Sequence, residues 1–379
     1  MSEQELHLIN HDKSKPIKEL YKENTEYKSI YDTESPSKMT PQVQVKREIP
    51  VAKKVYYIES IFSAMLWGIA NFFYSLLDDT DFATSCLTFP GFLFICLGYK
   101  ILQIKEQQSI TKKVIYDSFF GKYYDDSGTK LNLLNIFHMM LRSAMFFGLS
   151  WLVILASGYA SQAQINFGII TSCISFSIVL SAIFSYIFYN EALNKIQIVG
   201  IAIIILGIVG ISFAKGNKSL GEVDNGFTED EKSYYKIVSI LLALFCGVVN
   251  FLRTFQAKYI YRKTGYQPVD LSVDCGLFLG LFTMVCSIYY WATGCNTYTW
   301  YNFGINTIGS IIMMIFSIIA LKCIVKGLAG PTGAIMYTCP IYTSILTAIF
   351  LKQIPSLYQI MASILAISGV GVILLGNKN

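Results

Sequence analysis

The run QIVGIAIIILGIVGISFA, residues 197–214, decides the fold class. After Gln197 its only polar side chain is Ser212. A helix needs roughly 20 apolar residues to cross about 30 Å of hydrocarbon, and this run has that length. Working outward in both directions, the same grouping recurs. It predicts helical spans at 56–77, 83–102, 137–158, 164–188, 196–214, 235–256, 271–291, 305–325, 331–351 and 356–376. The second of these is the weakest, because it contains Pro90 and Gly91.

Composition agrees. Of 379 residues, 53% are hydrophobic and 15% charged, against about 25% charged in soluble domains; the mean hydropathy is +0.47. The net charge of +5 is spread between the spans and forms no basic patch, so nucleic acid is not an expected partner. The nine cysteines (86, 96, 173, 246, 275, 286, 295, 323, 339) form no CxxC pair and fall mostly in apolar runs, as small packing residues do. No zinc-type HExxH, Ser elbow or pair of intramembrane aspartates is present. Of His7, His11 and His138, only the last lies in a span, so no metal site, cofactor or enzymatic activity is expected. Residues 1–55 are polar, lack a signal-peptide core and read as a disordered cytoplasmic tail, leaving the first span to direct insertion. Tyr27-Lys28-Ser29-Ile30 has the form of a sorting signal, and Asn217-Lys218-Ser219 is a glycosylation sequon too near a span for good use.

Orientation follows from Lys and Arg near span ends. Lys46, Arg47, Lys53 and Lys54 precede the first span; Lys100, Lys105, Lys112, Lys113, Lys122 and Lys130 follow the second. Lys258, Arg262 and Lys263 follow the sixth, and Lys322 and Lys326 end the eighth. All share one side if both termini are cytoplasmic. Asp78, Asp79 and Asp81 fall opposite; Lys215, Lys218, Lys232, Lys236 and Lys352 dissent.

The chain also repeats. Gly68-Ile69-Ala70-Asn71-Phe72 reads against Gly247-Val248-Val249-Asn250-Phe251, and FYNEALNKIQ at 188–197 against FLKQIPSLYQ at 350–359. A unit of five spans is odd, so its second copy enters the membrane inverted, as in many secondary transporters. The predicted fold is an all-α membrane protein of ten transmembrane helices in two inverted five-helix repeats, 56–214 and 235–379, joined by a linker at 215–234. The small residues of spans five and ten, among them Gly200, Gly207, Gly210, Ala362, Gly369 and Gly371, place those helices against lipid or a second protomer, which makes a homodimer a candidate assembly.

Leu66-Trp67-Gly68, Asn190-Glu191-Ala192-Leu193, Gln197-Ile198-Val199-Gly200 and Tyr337-Thr338-Cys339-Pro340, in that order, resemble the drug/metabolite transporter superfamily, in its EamA-like ten-span branch. That plan is related to solute carrier family 35. The resemblance covers 56–376 and departs where Asn190 replaces a common Gly, Ile178 a Pro and Gln353 a Glu. It implies a secondary transporter that moves a small metabolite by alternating access around a central site. The alternatives are a nucleotide-sugar or organic-phosphate antiporter of the same superfamily, or a non-transporting membrane sensor or scaffold. Plasma membrane and endomembrane are both compatible locations.

Polar residues inside spans are expensive and face cavities or partner helices. Glu59, Ser63, Trp67, Asn71 and Tyr74 share one face of the first span. The candidate substrate-binding set is Trp67, Asn71, Tyr74, Ser150, Asn250, Arg253, Tyr337 and Tyr342, with Glu59 as the candidate for coupling to a proton; a counter-substrate is the other coupling partner. An Arg fork suits carboxylate or phosphate, so Arg142 and Arg253 either bind an anionic solute or snorkel to the headgroups. The rows Ser143/Ser150/Ser157, Ser177/Ser181/Ser185 and Thr332/Thr343/Thr347 either line a pore or bond back to their own helices. Pro340 predicts a break in the ninth span.

Overall fold

The computed structural model describes residues 53–74, 76, 82–111, 123, 130–163, 167–213, 228–351 and 356–376. The predicted tail through residue 52, the sorting signal, the sequon, Asp78–Asp81 and linker residues 215–227 lie outside them.

Among the described residues twelve helices follow in order: α1 (Lys54–Tyr74), α2 (Phe82–Leu87), α3 (Pro90–Thr111), α4 (Leu133–Gln162), α5 (Phe167–Tyr189), α6 (Lys195–Phe213), α7 (Glu229–Thr264), α8 (Pro268–Ala292), α9 (Trp300–Lys326), α10 (Ala329–Met336), α11 (Cys339–Phe350) and α12 (Leu357–Leu375). There is no strand among the described residues. Among the described residues seven stretches are long and apolar enough to cross a membrane: Phe82–Glu106, Leu133–Ala160, Asp230–Thr264, Pro268–Ala292, Trp300–Lys326, Ala329–Phe350 and Leu357–Leu375. Cys173–Tyr189 and Lys195–Gly210 are shorter apolar helices. Outward-facing side chains such as Leu206, Val285, Ile288, Ile349 and Ile364 are exposed. A soluble monomer does not carry so extensive an apolar exterior; a multi-pass membrane protein does.

Two helices break where proline removes a donor. Between α2 and α3, the Thr88 carbonyl accepts a bond from the Tyr74 hydroxyl (2.9 Å), and the Gly91 N–H donates to Ser310 Oγ (2.8 Å). The break at Pro90 is thus stitched to α1 and α9. The second break, predicted from Pro340, separates α10 from α11 at Tyr337 and Thr338.

The segments matched in sequence have matched surroundings. A Cβ on Gly68 would stand 2.7 Å from the Cys339 carbonyl, so only glycine lets α1 lie against α11. A Cβ on Gly247 would stand 3.2 Å from the Ile174 carbonyl on α5. Gln197 and Gln359 each turn back on the residue three before: the Asn194 N–H donates to Gln197 Oε1 (3.0 Å) and the Ser356 N–H to Gln359 Oε1 (2.8 Å). These are the reciprocal caps that start α6 and α12.

The small residues of α6 and α12 face each other. Gly207 is close enough to α12 that a Cβ would sit 2.7 Å from the Ala366 nitrogen, and one on Gly369 would sit 2.9 Å from the Gly200 carbonyl. The stripes expected to face lipid or a second protomer therefore form an internal contact. What these helices turn outward is aliphatic, including Ile198, Val199, Leu206 and Ile367.

Candidate functional site

The polar interior is built from side chains of both chain halves. On α1, Trp67 stacks on Phe316 of α9 (centroids 4.9 Å apart, 21° between planes) and meets Tyr337 edge-on (5.2 Å, 69°). The Tyr337 hydroxyl is 2.7 Å from Ser177 Oγ on α5 and accepts from Asn250 Nδ2 on α7. Tyr337 sits where the Pro340 break ends α10, which frees it to reach across to α5 and α7. Trp67, Asn250 and Tyr337 of the predicted set are thus together, joined by Ser177 and Phe316.

Arg253 lies one turn beyond Asn250 on α7, and Arg142 faces it from α4. Arg142 Nη1 donates to the Arg253 carbonyl (2.8 Å). The Arg253 guanidinium carbon is 3.9 Å from the centroid of the Phe146 ring. Neither side chain snorkels: relative exposures are 5% for Arg142 and 8% for Arg253. Arg253 lies about 16 Å along α7 from the helix end at Thr264.

Other predicted residues fall elsewhere. Tyr74 caps the α2–α3 break. Tyr342 packs its Cβ over Gly68. Asn71 and Ser150 are half-buried and outside the Trp67–Tyr337 cluster. Asn71 therefore does not mirror Asn250 in partners. Of the hydroxyl rows, Ser143 and Thr332 bond back to the Met139 and Leu328 carbonyls, and Thr343 also reaches across to the Gly68 carbonyl (3.0 Å).

Toward the end of the bundle that carries Lys54, three ion pairs among the described residues join the halves. Lys322 of α9 pairs with Glu59 of α1 (2.6 Å), and Lys100 of α3 with Asp274 of α8 (2.6 Å). Lys258 of α7 pairs with Glu191 in the turn between α5 and α6, at side-chain exposures of 1% and 2%. The second oxygen of Glu191 accepts the Ala329 N–H at the start of α10 (3.1 Å). Glu191 is aimed there by Asn190, whose φ is +53°. That left-handed geometry suits glycine and, next best, asparagine. The Tyr266 hydroxyl donates to Asp274 Oδ2, and burial beside that carboxylate pushes its pKa up, so it stays a donor.

Lys100 and Lys258 are thus interior ligands of carboxylates and not headgroup-facing charges. Lys258 was missed because α7 runs to Thr264, past the end expected at 256, and Lys100, inside the expected span 83–102, was read with the basic loop that follows it. The signal available was an acid on a neighbouring span, Asp274 for Lys100. Glu59, the candidate for coupling, is held by Lys322 at partial exposure, 29%. No group of three or more metal-ligating side chains occurs among the described residues.

No family model and no curated protein matches the chain. Among 26 matching chains of solved structures, one described only as a crystal structure of a protein is similar with a TM-score of 0.58 at 16% identity. The match covers 85% of this chain and 98% of that one. This similarity establishes a shared fold and carries no function.

Proposed function

We propose that the protein is a secondary transporter that moves a small metabolite across a membrane by alternating access. It would be of the ten-span, inverted-repeat plan of the EamA-like drug/metabolite transporters, with both termini cytoplasmic. The carrying observation is one arrangement: a polar and aromatic cluster of Trp67, Ser177, Asn250, Phe316 and Tyr337 drawn from both halves deep in the bundle. Three ion pairs among the described residues, on the Lys54 side of this cluster, also join the halves. Intramembrane polar groups of this kind mark solute paths. The reciprocal seating of Gly68 on α11 and Gly247 on α5, with the Gln197 and Gln359 caps, supports the inverted repeat.

In this reading the aromatic rings give the site its shape, and Asn250, Tyr337 and Ser177 orient the solute. Breaking the three ion pairs opens the Lys54 end. Glu59 is the coupling candidate: a proton on its carboxyl releases Lys322 and loosens one of the three ties. The test is uptake of a solute panel into proteoliposomes, with and without a pH gradient. Uptake above empty liposomes supports transport. Loss of gradient dependence in Glu59→Gln supports coupling there, and full retention removes it. A sensor or scaffold with the same fold would bind solute and give no flux.

A further inference from the structure

Two buried arginines, Arg142 of α4 and Arg253 of α7, are in contact, one from each half, and the buried or half-buried carboxylates on the neighbouring helices have partners of their own. Glu59 is held by Lys322, Glu191 by Lys258 and Asp274 by Lys100. Asp270 accepts from Gln103. Among the described residues no acid lies within ion-pair distance of Arg142 or Arg253. Arg253 Nε is buried with no hydrogen-bond partner. The bond from Arg142 to the Arg253 carbonyl fixes the Arg142 guanidinium against the α7 backbone at the root of the Arg253 side chain. Guanidinium does not give up its proton in proteins, so the pair cannot neutralise itself as two lysines could. Uncompensated buried charge of one sign is strongly unfavourable unless an anion completes it.

The setting is that of a binding fork. Phe146 supports one face of the Arg253 guanidinium (3.9 Å), which leaves the N–H edge to meet two oxygens in plane. One turn away, Asn250, Tyr337 and Ser177 supply neutral donors and acceptors, with Trp67 and Phe316 as apolar walls.

From this we infer that Arg142 and Arg253 form an oxyanion subsite, and that the solute is a small organic anion whose carboxylate or phosphate bridges the two guanidinium groups. The inference rests on the reading of the half-interface as the solute site. Because one guanidinium comes from each half, the anion also contributes to holding the halves together around it.

The experiment uses the full chain in nanodiscs and reads binding by thermal shift and calorimetry. The probes are inorganic phosphate and malonate, with glycerol and choline as neutral and cationic controls. Wild type is stabilised by phosphate, malonate or both, and by neither control. Arg253→Gln and Arg142→Gln each weaken that binding about 10- to 100-fold, the loss expected for a charged hydrogen-bond donor. Lys263→Gln, at an exposed position, leaves it unchanged. Should the glutamine variants fail to fold, Arg253→Lys keeps the charge but not the fork, and binds phosphate more weakly than wild type while retaining salt sensitivity. Wild type indifferent to both anions, or glutamine variants that bind them as wild type does, overturns the inference. Anion binding without flux of any anion leaves the subsite standing and counts against transport. Flux of a neutral or cationic solute that both variants preserve does the reverse.

Discussion

The Lys258–Glu191 pair gives the sharpest quantitative expectation. Its side chains are 1% and 2% exposed, so neither ion is solvated when the other is removed. Breaking such a pair by removing one partner costs about 3–5 kcal/mol, whereas replacing both is near neutral. In Lys258→Met, Glu191 keeps only the Ala329 N–H, and the whole range of about 3–5 kcal/mol applies. In Glu191→Gln, the amide oxygen can still accept from Ala329, which places the cost at the low end, about 3 kcal/mol, or roughly 150-fold in an equilibrium constant. The double variant should lie within about 1 kcal/mol of wild type. Denaturant titration in mixed micelles reads the cycle as stability. Hydrogen exchange at the first turn of α10 reads it as opening of the Lys54 end, faster in both single variants and near wild type in the double. Single variants within about 1 kcal/mol of wild type, or a double variant whose cost is the sum of the singles, would refute the reasoning.

Further expectations concern packing and the polar cluster. Gly207→Leu drives a side chain into the Ala366 backbone and abolishes folded protein on size exclusion, whereas Gly371→Leu on α12, with open space at its Cβ, is tolerated. Ser310→Ala strips the acceptor from the buried Gly91 N–H and destabilises by about 1–3 kcal/mol in the same denaturant titration. Asn250→Ala leaves the Tyr337 hydroxyl without one of its two partners and weakens solute binding about 5- to 150-fold, read as a raised half-saturation concentration for uptake. Asn71→Ala, outside the cluster, has the smaller effect.

The helical class was legible because hydrocarbon thickness writes itself as run length, and helices run through each apolar stretch that the sequence marks. The break at Pro340 was legible for a local reason, since a missing N–H cannot be hidden. The break at Pro90 was read only as weakness, because its repair comes from Tyr74 and Ser310, remote in sequence. The site was legible in part. Trp67, Asn250, Arg253 and Tyr337 lie together, but Asn71 and Tyr74 share a helix face with Trp67 and still have other surroundings. Face periodicity fixes direction, not depth, and a helix of 21 residues meets different neighbours at each turn. Lys100 and Lys258 were misplaced because charge is ambiguous: an interior ion pair and a headgroup anchor look alike until the partner is known. The small-residue rows were read as belonging to helices that face lipid or a second protomer, whereas they pack α6 against α12, a pairing that periodicity within one helix does not name.

Uptake of a panel of organic anions into proteoliposomes, comparing wild type with Tyr337→Phe, tests the central claim most directly. Tyr337 is the one side chain that touches Trp67, Ser177 and Asn250 together. The account predicts saturable uptake of at least one anion by wild type, with Tyr337→Phe, folded and equally reconstituted, needing several-fold more solute for half-maximal rate. Saturable uptake that Tyr337→Phe leaves unchanged, or no uptake of any solute by well-folded wild type, would contradict it.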